Sequence, residues 1–243
     1  MNTGVGDAID LAWKLAATLD GWGGPALLAS YDAERRPVAK RNAEEATRNL
    51  KRLSSTKGAV MNAICSDSDE GARQRAAYRQ ALNDADILRH HDTDGIALGY
   101  RYDASRIIMP DGTSAPPDSA KDYVPTARPG HRAPHAWLDG PPPSAGMRLP
   151  NGRSTLDLFG NGFVLLDFGA PADADRFALA ARECRMPLAI ERLAQPAIVD
   201  LYEHRLVLVR PDGHVAWRGD HAPGDPRTII DRVRGAAGTL NAA

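Results

Sequence analysis

The sequence predicts an α/β protein: a mostly helical amino-terminal part, followed by a carboxy-terminal domain built on a mixed sheet. Three observations carry this. Apolar residues recur at helical spacing between Ile9 and Leu19. Strand-like and helix-like stretches alternate from Gly162 onward. Between them, Pro110, Pro116, Pro117 and Pro125 mark residues 109–127 as a linker.

The first helix is expected over residues 7–20. Ile9, Ala12, Trp13, Ala16 and Leu19 share one face, with Leu11 and Leu15 beside them, so that face is expected to be buried. Ahead of it, Gly4 and Gly6 suggest a loop in which positive φ and close backbone approach are allowed. Asn2 and Thr3 stand where short polar side chains can meet the unpaired amides of a helix start. Gly21 is a suitable stop. A second helix begins near Ala26 with Leu27, Leu28 and Tyr31 inward, and Pro37 should interrupt it. A polar helix resumes to about Leu53, residues 54–68 read as a loop, and residues 69–90 read as helical.

In the carboxy-terminal half, Ser154–Phe159, Gly162–Phe168 and Leu188–Ile190 read as strands, and Ala172–Arg185 as a helix. Leu206–Val209 and His214–Arg218 flank Pro211-Asp212-Gly213, which has the chemistry of a hairpin turn. Residues 226–236 close the domain as a helix with Ile229, Ile230 and Val233 inward. The triple proline at 141–143 marks Asp139–Arg153 as an exposed loop.

Composition excludes several classes. The net charge of −1 asks for neither nucleic acid nor a membrane surface. No apolar run approaches the ~20 residues of a membrane span. Cys65 and Cys184 are far apart with no partner motif, which suits idle thiols in a reducing cytoplasm. The pair His90-His91 invites a metal, but adjacent side chains point apart and no third ligand follows, so no metal is expected. His131, His135, His204, His214 and His221 read as polar surface or loop residues. Glu34, Arg35 and Arg36 read as ion pairs fastening the second helix to a neighbouring domain.

The order of motifs carries a resemblance. Asn2-Thr3-Gly4, Asp7-Ala8, Leu11-Ala12-Trp13-Lys14-Leu15 and Glu34-Arg35-Arg36-Pro37-Val38-Ala39 follow one another as in the FAD-dependent aromatic hydroxylases. These are the enzymes of the para-hydroxybenzoate, phenol/chlorophenol and polyketide hydroxylase type. Leu98-Gly99-Tyr100-Arg101-Tyr102 resembles a strand of that family. Arg128-Pro129-Gly130-His131-Arg132-Ala133-Pro134-His135 resembles the start of its thioredoxin-like domain.

The resemblance implies residues 1–108 as the mostly helical end of the FAD-binding monooxygenase domain, 109–127 as linker and 128–243 as the thioredoxin-like domain. It implies FAD, reduced by NADPH or NADH, and a flavin hydroperoxide that hydroxylates a phenolic or other aromatic small molecule with O₂. Asn2, Thr3 and Gly4 are the implied contacts to the isoalloxazine, with Met1, Val5 and Gly6 more weakly placed. No catalytic acid or base is identified. Gly169-Ala170-Pro171-Ala172-Asp173 stands where a thioredoxin has Cys-x-x-Cys, so no disulfide chemistry is expected. No Gly-x-Gly-x-x-Gly occurs in the chain. The expectation is therefore a carboxy-terminal portion of a longer enzyme that holds FAD weakly by itself. The alternative is a non-catalytic interaction or dimerisation module.

Overall fold

The computed structural model describes residues 2–57, 63–84, 93–138 and 152–237. The pair His90-His91 and residues 139–151 of the expected loop lie outside them. Contacts divide the chain into two compact units, one of Met1–Pro37, Tyr100–Pro117 and Val124–Ala243, the other of Val38–Gly99 and Asp118–Tyr123.

The first unit is organised by a four-stranded sheet, β1 (Phe163–Asp167), β2 (Leu188–Arg192), β3 (Leu206–Val209) and β4 (Val215–Gly219), in the order β2-β1-β3-β4. β1 and β2 are parallel, and β3 is antiparallel to both β1 and β4. β1 and β3 are buried along their whole length, which is why they read as unbroken apolar runs rather than alternating ones. Phe163, Leu165, Leu206 and Leu208 share a core with α5 (Pro171–Glu183) and α7 (Arg227–Val233). Val164, Leu166, Val207 and Val209 form a second core with Ile198 and Tyr202 of α6 (Pro196–Tyr202). This is the mixed α/β arrangement that the strand and helix order predicts.

Helix α1 (Asn2–Leu19) and the start of α2 (Pro25–Lys57) belong to the first of these cores. Trp13 and Trp22 stack on each other at 6.4 Å and both meet Phe163 edge-on, at 5.9 and 6.2 Å. The turn between α1 and α2 interlocks with the end of α7. Gly24 N–H donates to the Arg234 carbonyl and Ala26 N–H to that of Gly235. A Cβ on Gly24 would sit 2.3 Å from backbone atoms of Gly235 and Ala236, so only glycine fits.

Several elements differ from the sequence expectation. Helix α1 starts at Asn2 rather than Asp7, so Gly4 and Gly6 lie inside it, and neither has positive φ. Its buried face is Asp10, Trp13, Lys14 and Ala17, whereas Val5, Ile9 and Leu19 are exposed. Helix α2 runs unbroken through Pro37, at the cost of the one hydrogen bond that proline cannot donate. Ser154–Phe159 is not a strand but a 3₁₀ turn over Thr155–Leu158, because the Asp157 carboxylate accepts from the Ser154 amide at 2.7 Å in a capping box. Leu98–Asp103 forms no strand; Tyr102 N–H instead donates to the Gly130 carbonyl. The sequence reading missed α6, which opens on Pro196 at its first turn.

The second unit holds the rest of α2 from Val38, α3 (Asp69–Asp84) and α4 (Asp94–Ala97). Arg41 joins α2 to the 118–123 segment through Asp118 at 2.6 Å and the Ser119 carbonyl at 2.9 Å. Glu70, Arg73 and Gln74 pair within α3, which is otherwise polar.

Candidate functional site

Two polar assemblies lie at α1. The first fills the space between α1, α2 and the β3–β4 turn. That turn is closed by Gly213 N–H to the Arg210 carbonyl, with Gly213 in the left-handed region at φ +79°. It sends Arg210 inward. The Arg210 guanidinium donates to both oxygens of Glu34 at 2.7 and 2.8 Å, to Asp10 at 2.9 Å and to Asp212 at 2.6 Å. Lys14 donates to Asp10 at 2.8 Å and to Glu34 at 2.7 Å. The Ser105 hydroxyl also donates to Glu34. The Arg210 guanidinium is flanked by the Trp13 and Tyr102 rings, 5.1 and 5.0 Å from their centroids.

The charges of this cluster are unequal in number: carboxylates from Asp10, Glu34 and Asp212 face cations from Lys14 and Arg210. Burial pushes the Asp10 carboxyl up to about 7, since removal from water outweighs the nearby Arg210. Burial also acts to raise Glu34, but Arg210 and Lys14 overcome it and hold that carboxyl down at about 2. Asp212 is likewise held low by Arg210 and His214 against its burial. A proton on Asp10 brings the five groups to neutrality. With every member enclosed, the cluster is inaccessible to a substrate and acts as a structural joint.

The second assembly lies against the first turns of α1. Arg35 is buried, and donates to the Asp7 carboxylate at 2.8 Å, to the Tyr102 hydroxyl at 3.1 Å and to the Thr3 carbonyl at 3.4 Å. Its guanidinium lies 5.2 Å from the Tyr100 ring centroid. Gly6 makes room for it: a Cβ there would stand 2.8 Å from Arg35 Nη2. Gly4 differs, being exposed with no atom within 4 Å of where its Cβ would be.

The expectation for Glu34-Arg35-Arg36 is corrected by these contacts. Glu34 pairs with Lys14 and Arg210, Arg35 with Asp7, and only Arg36 stays at the surface, paired with Asp32. His131 and His214 are buried rather than at the surface, and His214 stacks on Tyr102 at 4.3 Å. Burial and the nearby Arg128 and Arg101 push His131 down to about 4. Cys65 and Cys184 are free, and no group of three metal-ligating side chains occurs among the described residues. No helix among them is long and apolar enough to cross a membrane. The sequence reading missed Asp10, Lys14, Arg210 and Asp212; the one local signal was Asp10 and Lys14, four apart on an otherwise apolar helix.

The family model described as aromatic-ring hydroxylase, C-terminal, matches residues 126–237, and that of an FAD-binding domain matches residues 1–46. The FAD-dependent monooxygenase apdD of Emericella nidulans is 37% identical over 90% of this chain and 35% of its own length. Phenol 2-monooxygenase of a Pseudomonas strain is 31% identical over 94% of this chain and 41% of its own. The rebeccamycin biosynthetic enzyme RebC, solved with reduced flavin, is 45% identical with a TM-score of 0.83, covering 98% of this chain and 42% of that one. The chain belongs to the FAD-dependent aromatic-ring monooxygenases and corresponds to the carboxy-terminal part of such a protein. It spans between 35% and 44% of the length of the curated relatives it matches.

Proposed function

We propose that this chain is the carboxy-terminal, flavin-facing part of an enzyme that hydroxylates a phenolic or other aromatic compound with FAD, NADPH or NADH, and O₂. The observation that carries this reading is the amino-terminal end of α1. Its first turn contains no acidic residue, and Gly4 leaves open space beside the backbone. First-turn amides of a helix have no acceptor four residues back, and the helix dipole favours negative charge there by roughly 0.3–1 kcal/mol. Such an end fits the edge of a flat ring system that gains negative charge on reduction.

Bound there, FAD would supply the redox chemistry, taking electrons from the pyridine nucleotide and passing them to O₂. Asn2, Thr3 and Gly4 would hold the ring edge, with Val5 and Gly6, and with Met1, which lies outside the described residues, as weaker contacts. The chain's own contribution is binding and orientation; no acid or base is assigned. We divide it into residues 1–108 of the monooxygenase domain, the 109–127 linker and the 128–243 thioredoxin-like domain. Two free thiols suit a reducing, cytoplasmic setting.

Val5, Ile9, Leu15, Leu19 and Leu28 are exposed apolar residues, all on α1 and the start of α2. We assign this surface to a nucleotide-binding portion, since the chain contains no Gly-x-Gly-x-x-Gly of its own. The same surface favours a second reading, a self-associating module without catalysis. Mixing the chain with the separately produced FAD-binding portion of a relative separates the two. The first reading expects FAD to survive gel filtration only in the mixture, with NAD(P)H oxidation on adding an aromatic substrate. Tight FAD retention by the chain alone would overturn its dependence on that portion. A dimer of the chain that ignores the added portion would favour the second reading.

A further inference from the structure

We propose that Arg35 is a positioning residue, one that fixes the first turns of α1, Thr3–Asp7, at the place where the chain would face its flavin. The flavin part of this statement rests on the function proposed above.

A buried guanidinium is costly unless its donors are matched. Arg35 matches them across two segments: Asp7 and the Thr3 carbonyl on α1, and Tyr102 on the 100–102 segment, with the Tyr100 ring alongside. The rigid five-donor fork of arginine can hold these at once, whereas a lysine ammonium offers no such planar spread. Gly6 supports the same reading from the other side. Glycine within a helix is less favourable than alanine, so it needs a local reason. Here it leaves the gap that Arg35 Nη2 fills, because a Cβ would stand 2.8 Å away. Tyr102 also flanks Arg210, so the clamp on Thr3–Asp7 and the buried charge joint share one aromatic ring.

The test is amide hydrogen exchange on the whole chain without flavin, for wild type, Arg35→Met, Arg35→Lys and Gly6→Ala. An Ile230→Val variant serves as a control for general loss of stability. Loss of a charge-assisted clamp should speed exchange at residues 6–8, whose amides bond back to the first turn, by about tenfold or more in Arg35→Met. Amides of β1 and β3 should keep their rates. Arg35→Lys should restore part of the protection, since it keeps the charge but not the fork, and Gly6→Ala should mimic Arg35→Met in part. Ile230→Val should leave residues 6–8 unchanged. Equal exchange at residues 6–8 in Arg35→Met and wild type would overturn the clamp, as would a change spread evenly over the chain. A second arm measures FAD dissociation from the mixture with the FAD-binding portion. Faster dissociation from Arg35→Met than from wild type supports the positioning role toward the flavin, and equal dissociation overturns it. Wild type that holds no FAD in that mixture would sink the flavin reading alone, while the exchange data still decide on the clamp.

Discussion

The two faces of α1 are used in opposite ways. One face carries Asp10 and Lys14, neither more than 1% exposed; the other carries Val5 and Ile9, each more than half exposed. An isolated amphipathic helix would do the reverse. The difference teaches that the buried face of a helix is decided by what its neighbours offer. Arg210 brings a matched cation to Asp10 and Glu34, so charges can go inside. Among the described residues nothing covers Val5, Ile9 and Leu19 in the same way, and they stay exposed.

The largest effect should come from breaking the buried side. Arg210→Met leaves Asp10, Glu34 and Asp212 without their shared guanidinium and should cost about 3–5 kcal/mol in denaturant unfolding. A loss no greater than that of an ordinary surface substitution would contradict the cluster's role.

A smaller effect should come from Asp10, and it is dependent on pH. Folding raises its carboxyl from 3.8 to about 7, so the folded state favours the neutral form. The associated stability is fully present below pH 3.8 and is lost as pH rises through 7. Asp10→Asn removes this titration. Its stability relative to wild type should climb by a few kcal/mol between pH 4 and 7, then level off. Taking the difference between the two proteins cancels His131, which acts in the opposite sense: its folded value of about 4 gives stability that is lost as pH falls from 6.5. A difference that is flat with pH would show that Asp10 does not hold the proton.

The smallest effect on folding should come from the open face. Ile9→Ser or Leu19→Ser should change unfolding by no more than ~0.5 kcal/mol, since both side chains are exposed. Differential scanning calorimetry of the pair would check this.

The sequence made the sheet and most helices legible, because local pattern suffices for them: a glycine-bounded apolar run for β1, an unbroken apolar run for β3, and Pro-Asp-Gly for the turn between β3 and β4. Family motifs pointed correctly to the FAD-dependent hydroxylases. The orientation of α1 was not legible. Its apolar count suggested that Ile9 and Leu19 face inward, whereas the deciding partner of Asp10 lies 200 residues away at Arg210. Gly6 was read for its conformational freedom but serves by lacking a Cβ beside Arg35. Ser154–Phe159 misled because its apolar alternation outweighed a capping box visible in Ser154 and Asp157.

The central claim is that the open face of α1 joins this chain to a flavin-binding portion. The most direct measurement compares wild type with an Ile9→Glu, Leu19→Glu double variant, each mixed with that portion and FAD and passed through gel filtration. The account predicts that wild type co-elutes with bound flavin, while the double variant, equally stable, elutes apart and colourless. A folded double variant that carries flavin as well as wild type would contradict it.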